Sequence, residues 1–148
     1  MTRIRLTKEF TFEMAHLLEG YDGPCSNIHG HSYKLEVTVI GSPINDEQNP
    51  KHGMVIDFGQ LKSVVNEQIV SQFDHVLLVN RKSKLAEVKN ELPIQTIVEV
   101  NYQPTCENLL PHFAKLISEN LPEEVTLHSL KLHETATSYA EWYASDNA

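Results

Sequence analysis

Apolar and polar residues alternate almost without exception from residue 3 to residue 14. The apolar parity holds Ile4, Leu6, Phe10, Phe12 and Met14. Because successive side chains of a β-strand point to opposite faces, the pattern predicts a half-buried strand. Lys8 is the one polar residue on the apolar parity, and we interpret it as the position of a β-bulge. A second alternation predicts another strand over residues 31–40, through Tyr33, Leu35, Val37 and Val39.

From Phe58 onward the apolar residues recur at spacings of three and four. This pattern predicts an amphipathic helix capped by Asp57, with an apolar face of Phe58, Leu61, Val65, Ile69 and Phe73. A second helix is expected to begin after Thr105, an N-cap residue type. Pro111 lies beyond its first turn, so we expect a kink or a late helix start there. Alternation returns near the C-terminus and predicts strands over residues 126–134 and 138–143.

The order of these elements is strand, strand, helix, helix, strand, strand. The stretch 74–104 is interpreted as irregular, apart from one β-rich piece at 97–102. No βαβ alternation is present, so the sequence predicts an α+β fold with an antiparallel sheet and helices on one face. No internal repeat or linker is found, so one domain over residues 1–148 is expected.

Composition narrows the classes of partner. The chain of 148 residues is 41% hydrophobic and carries a formal net charge of −8, which argues against nucleic acid and anionic membranes as partners. The N-terminus has no apolar signal-peptide segment, and the longest apolar run, residues 76–79, is far too short to span a membrane. Only Cys25 and Cys106 are present, which indicates reduced thiols and a cytoplasmic protein. Cys106 is interpreted as a packing residue.

Three histidines fall on the apolar faces of the first two strands. His16 continues the parity of Met14, and His29 and His31 share the parity of Tyr33. Three imidazoles with a free fourth position are the pattern of a catalytic zinc site. The alternative is that they are ordinary core or surface histidines. That alternative is less favoured for three together, because buried imidazoles need partners.

Cys25 lies four residues before His29, and its role stays open between two alternatives. It is either a fourth ligand, which would close the site as a structural zinc, or an unligated thiolate that acts as a base.

Carboxylates and a histidine elsewhere in the chain are further candidates. In Asp74-His75 the carboxylate can orient the ring as in an acid–base dyad, although such a dipeptide is also common by chance. Glu134 shares a strand face with apolar residues, where a carboxylate is costly without a partner, unless the strand end is open to water. Glu107, in a first helical turn, is explained by the helix dipole alone.

Six motifs occur in the order found in one enzyme family. They are Phe10-Thr-Phe-Glu-Met-Ala-His16, Cys25-Ser-Asn-Ile-His29-Gly-His31, Gly53-Met-Val-Ile-Asp57-Phe58, Asp74-His75, Pro104-Thr-Cys-Glu107-Asn108 and His133-Glu134-Thr135. Together they resemble the 6-pyruvoyl/6-carboxy-tetrahydropterin synthases over nearly the whole chain. The Cys-x3-His-Gly-His element with an upstream Ala-His is the most specific of them.

The resemblance implies a T-fold (tunnelling fold), in which four antiparallel strands are backed by two helices. Subunits of that fold join into a barrel-like homo-oligomer, with active sites at their interfaces. The implied substrate is 7,8-dihydroneopterin triphosphate, and the implied cofactor is Zn²⁺, acting as a Lewis acid on the side-chain oxygens.

The resemblance also implies a role for each site residue. His16, His29 and His31 would bind zinc, and Cys25 would be the general base. Asp74 and His75 would form a proton-donating relay, and in one alternative this relay acts across a subunit interface. Glu134 would hold the pterin ring and join that relay, and the remaining lining residues of the pterin pocket would be Thr105 and Glu107.

The gap of three residues between Cys25 and His29 resembles the carboxy-forming branch used in queuosine biosynthesis. That branch yields 6-carboxy-tetrahydropterin, acetaldehyde and triphosphate. The alternatives are the 6-pyruvoyl-forming branch, which eliminates triphosphate, and a non-catalytic structural-zinc module.

The chain departs from the family pattern in two places. The stretch between His75 and Pro104 is longer, and the last strand lacks the usual basic residue and glycine. Arg81, Lys82 and Lys84, inside the longer stretch, either replace that missing charge or form a solvated basic loop.

Overall fold

The fold is built around a single mixed sheet of six strands. The structure is a computed structural model and describes residues 1–148. The strands follow one another in the order β4-β3-β1-β2-β5-β6. Their bounds are β1 Ile4–His16, β2 His29–Gly41, β3 Val76–Asn80, β4 Ile97–Val100, β5 Thr126–Thr135 and β6 Ser138–Tyr143. The α+β class predicted from the sequence is confirmed.

The predicted four-stranded antiparallel sheet is wrong, because β3 and β4 extend it. Three pairs are antiparallel, namely β1 with β2, β2 with β5 and β5 with β6. The other two pairs, β1 with β3 and β3 with β4, are parallel. All four residues of 76–79 are buried, so β3 shows a continuous apolar run. Parallel strands covered on both faces have this pattern, which the search for alternation misses.

Two helical segments cover one face of the sheet. The first is α1, Phe58–Val65, which continues through a π-helical stretch, Asn66–Val70, into α2, Ser71–Phe73. Asp57 caps α1 as predicted, its Oδ1 accepting the Gly59 N–H at 2.7 Å.

The second segment is α4, Cys106–Ser118, capped by Thr105. Pro111 lies inside this helix, which begins at Cys106, so the late start expected from the proline is wrong.

The main core lies between these helices and the sheet. It comprises 26 buried residues, among them Phe12, Leu35, Leu61 and Phe113. The register of β1 with β2 is continuous, so the bulge expected at Lys8 is wrong. The pairing of β2 with β5 instead shifts between Thr38 and Val39.

A second, smaller core lies on the opposite face. Leu77 and Val79 of β3 alternate with core-facing neighbours, so they point away from α1 and α4. They pack on Ala86 of the short helix α3, Lys84–Glu87. The predicted irregular stretch 74–104 therefore contains β3, α3 and β4, and it covers one end of the second sheet face.

No helix of the protein has both the length and the apolar character needed to cross a membrane.

Candidate active site

The three histidines meet at the shared end of β1 and β2. The antiparallel register sets His16 opposite His29 and Met14 opposite His31, so all three imidazoles project from the helix-covered face. Their ligand nitrogens lie within 4.8 Å of one another. The sequence prediction that these residues come together is confirmed. Cys25 does not belong to that cluster.

Backbone carbonyls orient two of the rings. His16 Nδ1 is 2.7 Å from the Pro104 oxygen, and His29 Nδ1 is 2.7 Å from the Asn27 oxygen. A carbonyl only accepts, so each Nδ1 carries the proton and donates it, which leaves both Nε2 lone pairs free. Such bonds to the far nitrogen are the usual outer support of metal-binding histidines.

The two free nitrogens approach each other closely. His16 Nε2 and His29 Nε2 are 3.0 Å apart, and neutral rings of this tautomer have no proton to share between them. His31 Nε2 is also buried, and its polar contact is the Glu134 carboxylate, with Oε1 at 3.1 Å. Facing lone pairs repel, and a cation among them removes the repulsion. The donor set therefore fits a divalent metal ion that accepts imidazole ligands.

Burial favours the neutral form of His16 and His31. Desolvation is the largest influence on His16 and lowers its pKa, outweighing the Pro104 carbonyl and Glu134. Desolvation also lowers the pKa of His31, although Glu134 acts in the opposite direction. A neutral imidazole is the form that binds a metal, so burial prepares the site for it.

Glu134 lies beside the histidines at the end of β5. Its Oε1 is 3.1 Å from His31 Nε2, and its Oε2 accepts from the Cys106 thiol at 3.4 Å. Burial, followed by the charge of Glu134, raises the pKa of Cys106, so this thiol stays protonated and donates. Sequence reasoning treated Cys106 only as a packing residue, because nothing local links residues 106 and 134.

Tyr33 lies under the imidazoles. Its side chain is 1% exposed, it stacks on Phe12 at 5.1 Å, and its hydroxyl has no hydrogen-bond partner. The ring centroids of His31 and His16 lie 5.6 and 6.3 Å away. Sequence reasoning placed Tyr33 in the core only, although its parity with His31 was the available signal.

A cavity of about 550 Å³ opens next to the histidines, and we call it the metal cavity. It brings together five of the predicted site residues, namely His16, Cys25, Thr105, Glu107 and Glu134. The rest of its wall includes Glu19, Tyr21 and Gln103. Three carboxylates, a thiol and the imidazole of His16 in one lining suit a small polar ligand that binds beside a metal.

Asp74 and His75 lie elsewhere. His75 lines a second cavity of about 660 Å³, the relay cavity, together with Glu13, Thr96 and His31 of the histidine cluster. His75 Nδ1 is 3.0 Å from Asp74 Oδ1, and its side chain is 77% exposed. Within one chain His75 and Cys25 therefore line different cavities, and His31 connects the two, because it lines the relay cavity and contacts Glu134 of the metal cavity.

The relay is held in a strained backbone. His75 has a φ of 60°, which is uncommon for a residue with a Cβ. Asp74 Oδ1 accepts the Glu13 N–H at 2.8 Å. That bond, followed by the contact with His75, lowers the pKa of Asp74. The carboxylate is therefore ionised and able to orient the His75 ring.

Comparison with known proteins identifies what this arrangement resembles. The family model of 6-pyruvoyl tetrahydropterin synthase matches residues 5–145. The chain is 38% identical to a 6-carboxy-5,6,7,8-tetrahydropterin synthase of Haemophilus influenzae over 93% of this chain and 97% of the relative. The enzyme of the same name from Rickettsia typhi is 32% identical over 93% and 99% of the two chains.

Solved structures share the fold. A protein from Wolinella succinogenes superposes with a TM-score of 0.78 at 20% identity, covering 97% of this chain and 99% of that one. The 6-pyruvoyl tetrahydropterin synthase of Caenorhabditis elegans superposes with a TM-score of 0.68 at 20% identity, covering 97% of each chain.

Proposed function

Because the chain belongs to the 6-pyruvoyl tetrahydropterin synthase family, we propose that it is a zinc-dependent 6-carboxy-5,6,7,8-tetrahydropterin synthase. It converts 7,8-dihydroneopterin triphosphate and water to 6-carboxy-tetrahydropterin, acetaldehyde and triphosphate, as a step of queuosine biosynthesis. The observation that carries the proposal is a cluster of three histidines, His16, His29 and His31, whose member His16 lines one cavity together with Cys25 and Glu134. The relatives named as carboxy-forming enzymes support the choice of product.

His16, His29 and His31 are the proposed zinc ligands. Bound there, zinc supplies a Lewis acid for the oxygens of the substrate side chain. Cys25 lies in the cavity wall but outside the ligand cluster, which favours a three-ligand catalytic site over a closed structural one. We therefore assign Cys25 as the general base that removes a proton from the substrate side chain.

Glu134 and the start of α4 are the proposed pterin anchor. One edge of a pterin presents an amino group and a ring N–H, and a carboxylate accepts two such donors side by side. The metal cavity is lined by Glu134, Glu107 and Thr105. Holding the ring at this wall directs its side chain toward the histidines and Cys25.

Asp74 and His75 are the proposed proton donors, and they require a second copy of the chain. His75 lies in the relay cavity and not in the metal cavity, so the relay of one copy would act on the metal cavity of its neighbour. The protein is accordingly proposed to be a homo-oligomer with shared active sites.

The deciding experiment identifies the products. Zinc-loaded protein is incubated with 7,8-dihydroneopterin triphosphate, acetaldehyde is measured with a coupled dehydrogenase, and the pterin is identified by mass spectrometry. We expect acetaldehyde and a 6-carboxy pterin in equal amounts, with neither formed by identically prepared Cys25→Ala protein. A pyruvoyl pterin without acetaldehyde would instead assign the chain to the 6-pyruvoyl branch.

A further inference from the structure

The proposed substrate carries a polyphosphate, but neither site cavity offers a cationic side chain. No lysine or arginine lines the metal cavity or the relay cavity. The metal cavity instead has three carboxylates, Glu19, Glu107 and Glu134, and the whole chain has a net charge of −8. A triphosphate tail is repelled by such a field unless positive groups stand close to it. Within one chain, a lysine or arginine that reaches the tail therefore has to come from the adjoining surface.

A turn at the end of β3 adjoins the metal cavity. Lys82, Asn80 and Ser83 line a hollow of about 180 Å³, and the remaining walls of this hollow are Glu19 and Gln103. Those two residues also line the metal cavity. The hollow thus adjoins the metal cavity along Glu19 and Gln103, and it brings a lysine beside the site.

Hydrogen bonds within the turn fix its backbone, and one further hydrogen bond joins it to the wall of the metal cavity. Asn80 Oδ1 accepts the Lys82 N–H at 3.1 Å, and the buried Ser83 hydroxyl accepts the Ala86 N–H at 3.2 Å. Glu19 Oε2 accepts the Lys84 N–H at 2.9 Å. Because these backbone donors are already used, an anion in the hollow would be bound by a side chain and not by the backbone.

Lys82 is the one lysine or arginine that lines this hollow. It is exposed and makes no ion pair, whereas Lys89, farther along the same segment, is paired with Glu99 at 3.2 Å. Arg81 lines a different hollow, beside Glu99 and His112. Neighbouring residues of one turn therefore line different spaces, and only Lys82 lines the hollow that adjoins the metal cavity.

We propose that Lys82 binds the triphosphate tail of the substrate, an inference that rests on the proposed function. The ammonium in the hollow pairs with a phosphate oxygen after the pterin ring has been anchored at Glu134. Lys82 thus makes the enzyme select the triphosphate over the free alcohol.

The test measures KM and kcat of the zinc-loaded enzyme for 7,8-dihydroneopterin triphosphate, and the inhibition constant of 7,8-dihydroneopterin, which lacks the phosphates. Lys82→Gln is expected to raise KM at least about tenfold, as the loss of a charge-assisted hydrogen bond does, and to leave the inhibition constant within about twofold. Lys82→Arg is expected to restore KM to within about threefold of the wild type. Arg81→Gln removes the same charge one residue away and is expected to change KM less than about threefold.

Three results would overturn the inference. They are an unchanged KM in Lys82→Gln, an inhibition constant that rises in parallel with KM, and an equal effect of Arg81→Gln, which would indicate a general field. A wild-type enzyme that leaves the triphosphate substrate untouched would overturn the proposed function itself, and this inference with it.

Discussion

At the scale of single residues, the distances between possible ligand atoms distinguish the three histidines from Cys25. The three imidazole nitrogens lie within 4.8 Å of one another and Cys25 stands outside that cluster. Two of the rings are fixed by backbone carbonyls, so their lone pairs are directed before any metal arrives. A metal held by such a set does not depend on the thiol.

Cys25→Ala is therefore expected to retain one zinc per chain while turnover falls at least about a hundredfold, the usual effect of losing a general base. Elemental analysis and the product assay measure the two quantities. His31→Ala serves as the control and is expected to lose most of its zinc. Loss of zinc from Cys25→Ala would identify the thiol as a ligand and favour the structural-zinc alternative.

Tyr33 and Tyr102 differ in the bonding of their hydroxyl groups, and this difference gives a second prediction. The Tyr33 hydroxyl is buried without a partner, whereas the Tyr102 hydroxyl is 2.6 Å from His112 Nδ1. Removing an unpartnered hydroxyl costs nothing, but removing a bonded one leaves its partner unsatisfied, at about 1–2 kcal/mol. Urea unfolding should find Tyr33→Phe as stable as the wild type or more stable, and Tyr102→Phe less stable. The opposite order would contradict the hydrogen-bond assignment.

At the scale of elements, the junction between α2 and β3 joins the helical layer to the sheet. Asp74 follows α2 directly and binds the Glu13 amide of β1, while the His75 amide donates to the Glu13 carbonyl. Both bonds hold His75 in its positive-φ conformation at the edge of the relay cavity. The orientation of the relay is thus a consequence of how the helix end is attached to β1.

This attachment predicts a pH-dependent stability. The fold lowers the pKa of Asp74 below its value in the unfolded chain, which is near 3.9. The charged carboxylate therefore stabilises the folded state fully above the unfolded pKa. This stabilisation is lost as the pH falls through the lower pKa of the folded state. Asp74→Asn should be less stable than the wild type at pH 7, by less than about 1 kcal/mol because the carboxylate is a third exposed. The difference should vanish in unfolding curves measured below the folded pKa. Asp22→Asn, at an exposed aspartate, is the control and should show no such trend.

At the scale of the whole molecule, His75 and Cys25 line different cavities, and the sheet ends in two strands, β4 and β6, with one unpaired edge each. Open edges favour pairing with another chain. A homo-oligomer that joins the relay cavity of one copy to the metal cavity of the next would complete the proposed site and cover these edges.

Mixing two inactive variants tests this arrangement. Cys25→Ala supplies an intact relay, and His75→Ala supplies an intact thiol. If sites are shared between copies, random mixing should restore about a quarter of the wild-type activity, since one site in four then combines both intact residues. Light scattering establishes the oligomer and the exchange of subunits. Exchange without any recovery of activity would place the whole site within one chain.

The sequence by itself determined the elements whose periodicity is local. Alternation located β1 and β2, the spacing of three and four located the helices with their caps at Asp57 and Thr105, and parity placed His16 with His29. These predictions succeed because neighbouring side chains on a strand or helix point in directions set by the backbone geometry alone. The motif series added the family, because its residues recur at fixed spacings.

Only the tertiary structure decided what depends on residues far apart in the chain. The Pro104 carbonyl orients His16 across 88 positions, Glu134 meets Cys106 across 28, and β3 enters the sheet in parallel beside β1. The separation of His75 from Cys25 and the position of Lys82 beside the metal cavity belong to the same group. No local pattern encodes such meetings, because they follow from how the whole sheet pairs and how the helices pack on it.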